Sequence, residues 1–267
     1  IIQINNINLK KKIVCTVYDM IHETHPNFFR NNQKISLIKK QTVNRADKII
    51  CISKKTKEDL INYFSINENK IDVIYLASGL KEKRLTINLK KNYPNHLLFV
   101  GSRRGYKNYD NFMSAYGNSK ILRENFKIIF FGGERVSKLD YKILKKNNIN
   151  FDNILFLDDK QTNLPFLYSN VAALIYPSFY EGFGLPIVEA MSFSCPVISS
   201  FGGALKEVGG DGIEYFNPNE IEDISHKLEK VLFSKKILEN QIEYGIQRSE
   251  KFSWKKCAEE TLKIYKQ

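Results

Sequence analysis

The chain is predicted to be α/β, with parallel sheets covered by helices on both faces, and three observations support that reading. Short, almost wholly apolar runs rich in β-branched residues recur at 13–17, 48–52, 71–75, 96–100, 126–131, 154–157, 171–176, 196–199 and 213–216. Helical patterns fill most of the gaps. Strands buried on both faces of a parallel sheet read as continuous apolar runs, whereas half-exposed strands alternate. Several runs also end in glycine-bearing loops that open a helix, at Gly101, Gly132-Gly133 and Gly182-Phe183-Gly184. Ligands of such sheets bind beyond the C-terminal strand ends, which is where these loops fall.

Along the chain, Ser53 is the expected N-cap of a helix over 56–64, because its hydroxyl can accept a first-turn N–H. One helix is expected over 109–122, and the tail after Asn219 reads as three more, over 220–233, 236–250 and 253–266. The stretch 81–95 is polar, lacks periodicity and ends in Tyr93-Pro94-Asn95, so it reads as a linker. The expected division is a partial first domain over 1–90, a second α/β domain over 91–250, and a terminal helix within 251–267 that crosses back to the first.

Charge is unevenly spread over the 267 residues, whose net value is +12. Up to Asn95 there are 18 lysines and arginines against 8 acidic residues; after it, 23 against 21. Clusters at Lys10-Lys11-Lys12, Lys39-Lys40 and Lys54-Lys55 with Lys57 suit an anionic membrane surface or an anionic acceptor. An ordinary solvated lysine face has the same composition. Nucleic acid is not expected, because no recognition-helix or RNP-like motif accompanies the charge. No apolar run approaches the ~20 residues that cross a bilayer. The first ten residues carry Asn5, Asn6 and Asn8 and lack the apolar stretch of a secretory signal. Cys15, Cys51, Cys195 and Cys257 are scattered without CxxC or Cys/His spacing, so reduced thiols in a cytoplasmic protein without a metal site are expected. The chain opens Ile1-Ile2 with no methionine, and a fragment is the expectation.

The segment 176–196, YPSFYEGFGLPIVEAMSFSCP, carries the most chemistry. Glu181 and Glu189 stand eight residues apart around Gly182-Phe183-Gly184-Leu185-Pro186, and a proline is tolerated in the first helical turn. The free N–H groups of a helix start attract an anion, most often phosphate. A carboxylate at Glu189 can accept hydrogen bonds from hydroxyls such as those of a ribose. One motif thus suggests a diphosphate-linked sugar. Taken alone, Glu181 also reads as a loop acid and Glu189 as an acid favoured by the helix dipole. A second candidate follows Gly101, where Arg103 and Lys107 can neutralise a diphosphate without metal; Arg103, Arg104 and Lys107 also read as ordinary loop cations. Gly132-Gly133 reads as a tight turn for helix–strand packing, with close approach to a ligand as the alternative. No GxGxxG or Walker lysine pattern occurs, which disfavours a Rossmann oxidoreductase.

The segments Cys51-Ile-Ser-Lys-Lys-Thr-Lys-Glu-Asp-Leu, Val100-Gly-Ser-Arg-Arg-Gly-Tyr-Lys-Asn, 177–191, Cys195-Pro-Val-Ile-Ser-Ser and Glu207-Val-Gly-Gly-Asp together resemble glycosyltransferase family 4. The resemblance implies the GT-B fold of two Rossmann-like domains, a nucleotide-diphosphate sugar donor (GDP or UDP) and transfer with retention. It is strongest to bacterial enzymes of O-antigen, lipopolysaccharide and capsule synthesis, in which mannosyltransferases are frequent. It also implies a glycan or lipid-linked glycan acceptor, and the basic first part fits such an acceptor at the cytoplasmic leaflet, with a peripheral place on the inner face of the cytoplasmic membrane. By the same resemblance Glu181 lies beside the donor sugar, Arg103 and Lys107 grip the diphosphate, Glu189 holds the ribose, and Gly101 and the backbone of 182–185 complete the nucleotide site. No Asp-x-Asp occurs, and no metal is expected in the reaction.

Two departures qualify the resemblance. The family often presents His-Asp where this chain has Tyr18-Asp19, and a tyrosine cannot act as a base near neutral pH. The family also has roughly twice as much chain before the linker, so the first domain is expected to be truncated. An alternative is therefore a non-catalytic nucleotide-sugar-binding or scaffold subunit of a glycan assembly complex. The Glu181/Glu189 block speaks against a GT-B-shaped epimerase or phosphorylase.

Overall fold

Two all-parallel sheets organise the chain, as the apolar runs predict. The computed structural model describes residues 12–80 and 92–267. Its first half holds β1 (Val14–Val17), α1 (Ile21–Thr24), α2 (Asn32–Arg45), β2 (Lys48–Cys51), α3 (Lys54–Phe64) and β3 (Ile71–Val73), with the strands in the order β1-β2-β3. Val17, Met20, Val43, Ile49, Leu60 and Phe64 form its core. Ser53 caps α3 by accepting the Thr56 N–H, so the helix starts at Lys54, two residues before the apolar pattern suggests.

The second half comprises β4 (Tyr93–Val100), α4 (Tyr109–Asn118), α5 (Lys120–Asn125), β5 (Lys127–Phe131), α6 (Lys138–Lys146), β6 (Ile154–Leu157), α7 (Leu164–Asn170), β7 (Val171–Tyr176), α8 (Leu185–Ser192), β8 (Val197–Ser200), α9 (Leu205–Gly209), β9 (Glu214–Phe216), α10 (Ile221–Leu232), α11 (Lys235–Ser249) and α12 (Trp254–Tyr265). Its sheet runs β6-β5-β4-β7-β8-β9. Each central strand serves two cores. Leu97 and Phe99 pack on one face with Phe112 and Leu228, and Leu98 packs on the other with Ile187 and Met191. This double burial is why these strands are apolar at nearly every position.

Two boundaries differ from the sequence expectation. The helix expected over 109–122 breaks at Ser119, whose side chain caps α5 by accepting the Leu122 N–H. A hydroxyl that can begin a new helix competes with continuation of the old one. The expected linker loses its end, since Tyr93-Pro94-Asn95 belongs to β4. Pro94 falls where the β4–β7 register shifts between Tyr93 and Leu97, and a residue without an N–H is tolerated at such an irregularity. The rest of that stretch, 81–91, lies outside the described residues.

The halves touch through apolar contacts. Ile52 of the first meets Phe183, Val188 and Val208 of the second. Ile264 of α12 packs with Ile50 and Ile74 of the first half. Among the described residues no helix is long and apolar enough to cross a membrane.

Candidate functional site

Strand order creates the site. β4 and β7 are neighbours although two strands separate them in sequence, so the sheet reverses its direction of growth between them. The loops leaving their C-terminal ends lie at the switch point, where open α/β sheets generally bind ligands. The β4 loop supplies Gly101 to Asn108, and the β7 loop supplies Pro177 to Gly184.

Buried hydrogen bonds hold the two loops together. Asn108 donates from its side chain to the Pro177 carbonyl at 3.1 Å and to the Pro218 carbonyl at 2.8 Å. The Phe179 N–H donates to the Tyr106 carbonyl at 2.8 Å. Lys107, at the end of the one-turn 3-10 helix Gly105–Lys107, is thereby brought to Glu181. Its Nζ donates to Glu181 Oε1 at 2.7 Å and to the Tyr176 hydroxyl at 3.0 Å, and it lies 5.1 Å from the Tyr176 ring centre. Ser178 Oγ donates to the same carboxylate oxygen at 2.6 Å. Both partners of the Lys107–Glu181 pair are largely buried. Burial, followed by the Glu181 charge, pushes the Tyr176 hydroxyl far above its ordinary pKa, so it stays neutral.

A third loop supports Glu181 from below. Gly203 has φ +64°, and a Cβ on it would strike the Glu181 backbone, so only glycine fits that contact. The Ala204 N–H donates to the Glu181 carbonyl at 2.9 Å. On the opposite side Gly182 presses on the first half, where a side chain would meet the Tyr18 carbonyl. Tyr18 itself is 60% exposed beside this contact. His22 and His25, which follow it, pack instead on Phe29 and on Phe28 and Tyr180.

Gly184 is the N-cap of α8, Leu185 and Pro186 form its first turn, and Phe183 is buried between the halves. Glu189, one turn further on, accepts a hydrogen bond from the Tyr168 hydroxyl at 3.0 Å. Burial raises the pKa of Glu189 above the ordinary carboxylate value, partly offset by that hydrogen bond. The two glutamates therefore have separate surroundings. Glu181 faces a lysine, and Glu189 faces a tyrosine.

Arg103 departs from the expectation that it acts beside Lys107. Its side chain is 2% exposed and turns inward to Asp140, with Nε 3.1 Å from Oδ1. It also donates to the Gly132 carbonyl at 3.4 Å and to the Glu134 carbonyl, and its guanidinium stacks 4.9 Å from the Phe156 ring centre. Burial alone would raise the pKa of Asp140; hydrogen bonds from Ser137 and Arg103 overcome that and hold it low. Arg103 thus ties the β4 loop to α6. Gly133 packs against the β4 loop, since a Cβ on it would come within 2.5 Å of the Gly101 carbonyl, whereas one on Gly132 would meet nothing within 4 Å. Gly101 is accordingly a contact point between two turns. Among the described residues no cluster of three His, Cys, Asp or Glu side chains could hold a metal ion.

Sequence reasoning missed the groups joining the halves. The Tyr180 hydroxyl donates to Asp59 at 2.8 Å, and Glu207 reaches the start of α3. Both lie in or beside the family-like segments, but their partners are 121 and 153 residues away, a pairing that local pattern does not encode.

Comparison with known proteins shows the family and the fold. The pattern of the family "Glycosyl transferases group 1" matches residues 80–248, and that of "Glycosyltransferase Family 4" matches 3–77. The O-antigen chain mannosyltransferase RfbU of Salmonella typhimurium is 28% identical over 225 residues, covering 79% of this chain and 62% of that protein. The chain therefore spans about three fifths of this relative's length. Two solved structures share the fold. Sucrose-phosphate synthase from Thermosynechococcus elongatus matches at TM-score 0.78 and 18% identity, over 97% of this chain and 68% of that one. HepE from Anabaena, solved with UDP and glucose, matches at 0.77 and 15%, over 95% and 71%. The chain, with its two parallel sheets and its switch-point loops, belongs to the group 1/family 4 glycosyltransferases of GT-B fold.

Proposed function

We propose that the chain transfers a hexose, mannose, from a nucleotide-diphosphate sugar to a growing cell-surface polysaccharide or its lipid-linked precursor, with retention at the anomeric carbon. The observation that carries the reading is the Lys107–Glu181 pair at the switch point, next to the start of α8. In this reading the nucleoside diphosphate leaves towards Lys107 and the first-turn N–H groups of α8. Fixed positive charge in a water-poor crevice stabilises the charge that develops on the leaving oxygen. Glu181 lies against the donor sugar, and Glu189 accepts hydrogen bonds from the ribose. These groups take the part that a divalent cation plays elsewhere. The mannosyltransferase relatives support the choice of sugar, and the basic first 95 residues support an acceptor at an anionic membrane surface.

Calorimetric titration with GDP and with UDP, each with and without EDTA, tests the donor site. One nucleotide is expected to bind unaffected by EDTA, and to bind about tenfold more weakly to Glu189→Ala, the worth of one hydrogen bond to a charged acceptor. Ribose recognition needs the Glu189 carboxylate. Because its pKa is raised, affinity is expected to fall on acidification from a higher pH than an ordinary glutamate would give. Binding that EDTA abolishes, or that Glu189→Ala leaves unchanged, would overturn this donor site. For the acceptor side, vesicles rich in anionic lipid are expected to retain the protein at low salt and release it at high salt; no retention at low salt would remove the membrane from the proposal.

A second reading, a nucleotide-sugar-binding subunit without turnover, is favoured by the exposed Tyr18 beside Gly182. Transfer that disappears in Glu181→Ala would rule it out.

A further inference from the structure

The first turn of α3 is a positive helix end, and a residue from the far half of the chain fills it. The backbone N–H groups of Lys54 and Lys55 donate to the two carboxylate oxygens of Glu207, at 2.7 and 3.0 Å. The Tyr75 hydroxyl donates to Glu207 Oε1 at 2.8 Å. A carboxylate at a helix N-terminus satisfies orphan donors and complements the dipole. Ser53, the helix's own cap, accepts the Thr56 N–H and donates to the Thr56 hydroxyl, leaving the Lys54 and Lys55 N–H groups to Glu207. Glu207 thus acts as a second cap delivered in trans, across 153 residues of sequence.

The element that carries Glu207 is itself anchored at both ends. At its start, the Ala204 N–H donates to the Glu181 carbonyl. At its end, Arg248 donates to the Glu207 carbonyl at 2.6 Å and to the Val208 carbonyl at 3.0 Å. α9 is therefore a short rigid link between the backbone of Glu181 and the first half of the chain. We infer that Glu207 is a positioning residue: its carboxylate latches the half bearing Lys107 and Glu181 onto α3, and so sets where Glu181 stands relative to Tyr18 and the rest of the first half. The consequence for transfer rests on the function proposed above, whereas the latch itself does not.

The test uses the whole chain and three variants, Glu207→Ala, Glu207→Gln and Tyr75→Phe. Amide hydrogen exchange over the first turn of α3 is expected to speed up about tenfold in Glu207→Ala, the scale of a lost cap. The core strands β4, β5 and β7 should keep their protection. Glu207→Gln should fall between, because the amide oxygen still accepts an N–H, and Tyr75→Phe should show a smaller effect, its ring still packing on Phe183 and Phe252. GDP or UDP affinity should stay within about twofold, while the rate of transfer at saturating donor falls about tenfold. Unchanged exchange at the start of α3 in Glu207→Ala would overturn the latch, whatever the activity. Equal loss of protection in β4, β5 and β7 would assign Glu207 a global structural role instead. Faster exchange at α3 with no transfer in the parent chain would keep the latch and reject the transferase reading.

Discussion

Lys107→Ala is expected to lower transfer by about 100- to 1,000-fold, the loss seen when one preorganised charge-stabilising donor is removed from an active site. Lys107 is largely buried, and its ammonium is held between Glu181 Oε1 and the Tyr176 hydroxyl. Under the proposed function, in that position it would meet the departing diphosphate with no reorganisation at the moment of reaction. Most of the loss should therefore appear in kcat, with a smaller weakening of nucleotide binding. Lys107→Arg should not restore the rate, because a planar guanidinium cannot occupy the site of a compact ammonium. Glu181→Ala should fail to a similar degree. The double variant should be little worse than either single one, since residues that work as a pair are strongly non-additive. The measurement is release of nucleoside diphosphate from the sugar nucleotide whose base binds in calorimetry. A Lys107→Ala protein that is folded and retains a third or more of the parental rate would remove Lys107 from the chemistry.

The strands were legible because double burial leaves them no polar positions, as at Leu97, Leu98 and Phe99. The Glu181/Glu189 segment was legible for a local reason: glycine, proline and a following helix lie within ten residues of one another. What local pattern does not contain is the strand order. The meeting of Lys107 with Glu181 follows from β4 lying beside β7, and 74 residues separate the two side chains. The same limit explains why the ion pair of Arg103 was not foreseen. In sequence it sits four residues from Lys107 and carries the same charge. Its partner Asp140 is fixed by the packing of α6 and is out of sight of any motif. Glu207 shows this limit at its extreme. Its segment stands out as family-like, yet the helix end it caps lies in the other half of the chain.

Arg103→Ala should affect stability, and this separates it from Lys107. The Arg103–Asp140 pair is almost wholly enclosed, with side chains 2% and 0% exposed. Removing the guanidinium leaves Asp140 charged, buried and held only by Ser137, which donates to Asp140 Oδ2 from its backbone and its hydroxyl at 2.7 Å each. Breaking such a pair costs about 3 kcal/mol, the lower end of the usual range because the Ser137 bonds remain. For a chain of this size that is a fall in Tm of roughly 6–12 °C. The pH dependence gives an independent check. The pKa of Asp140 in the folded protein is below its ordinary 3.8, so the pair adds stability above that value and loses it as pH falls through the folded value. In Arg103→Ala that acid-side loss should shrink, and the deficit relative to the parent should narrow on acidification. Arg103→Met combined with Asp140→Leu should recover part of the stability, because an apolar pair of similar volume avoids the desolvation cost. Below the lowered Tm, nucleotide affinity of Arg103→Ala should match that of the parent. An unchanged Tm together with lost nucleotide binding would return Arg103 to the diphosphate, and the inward ion pair would then be a resting position that the ligand breaks.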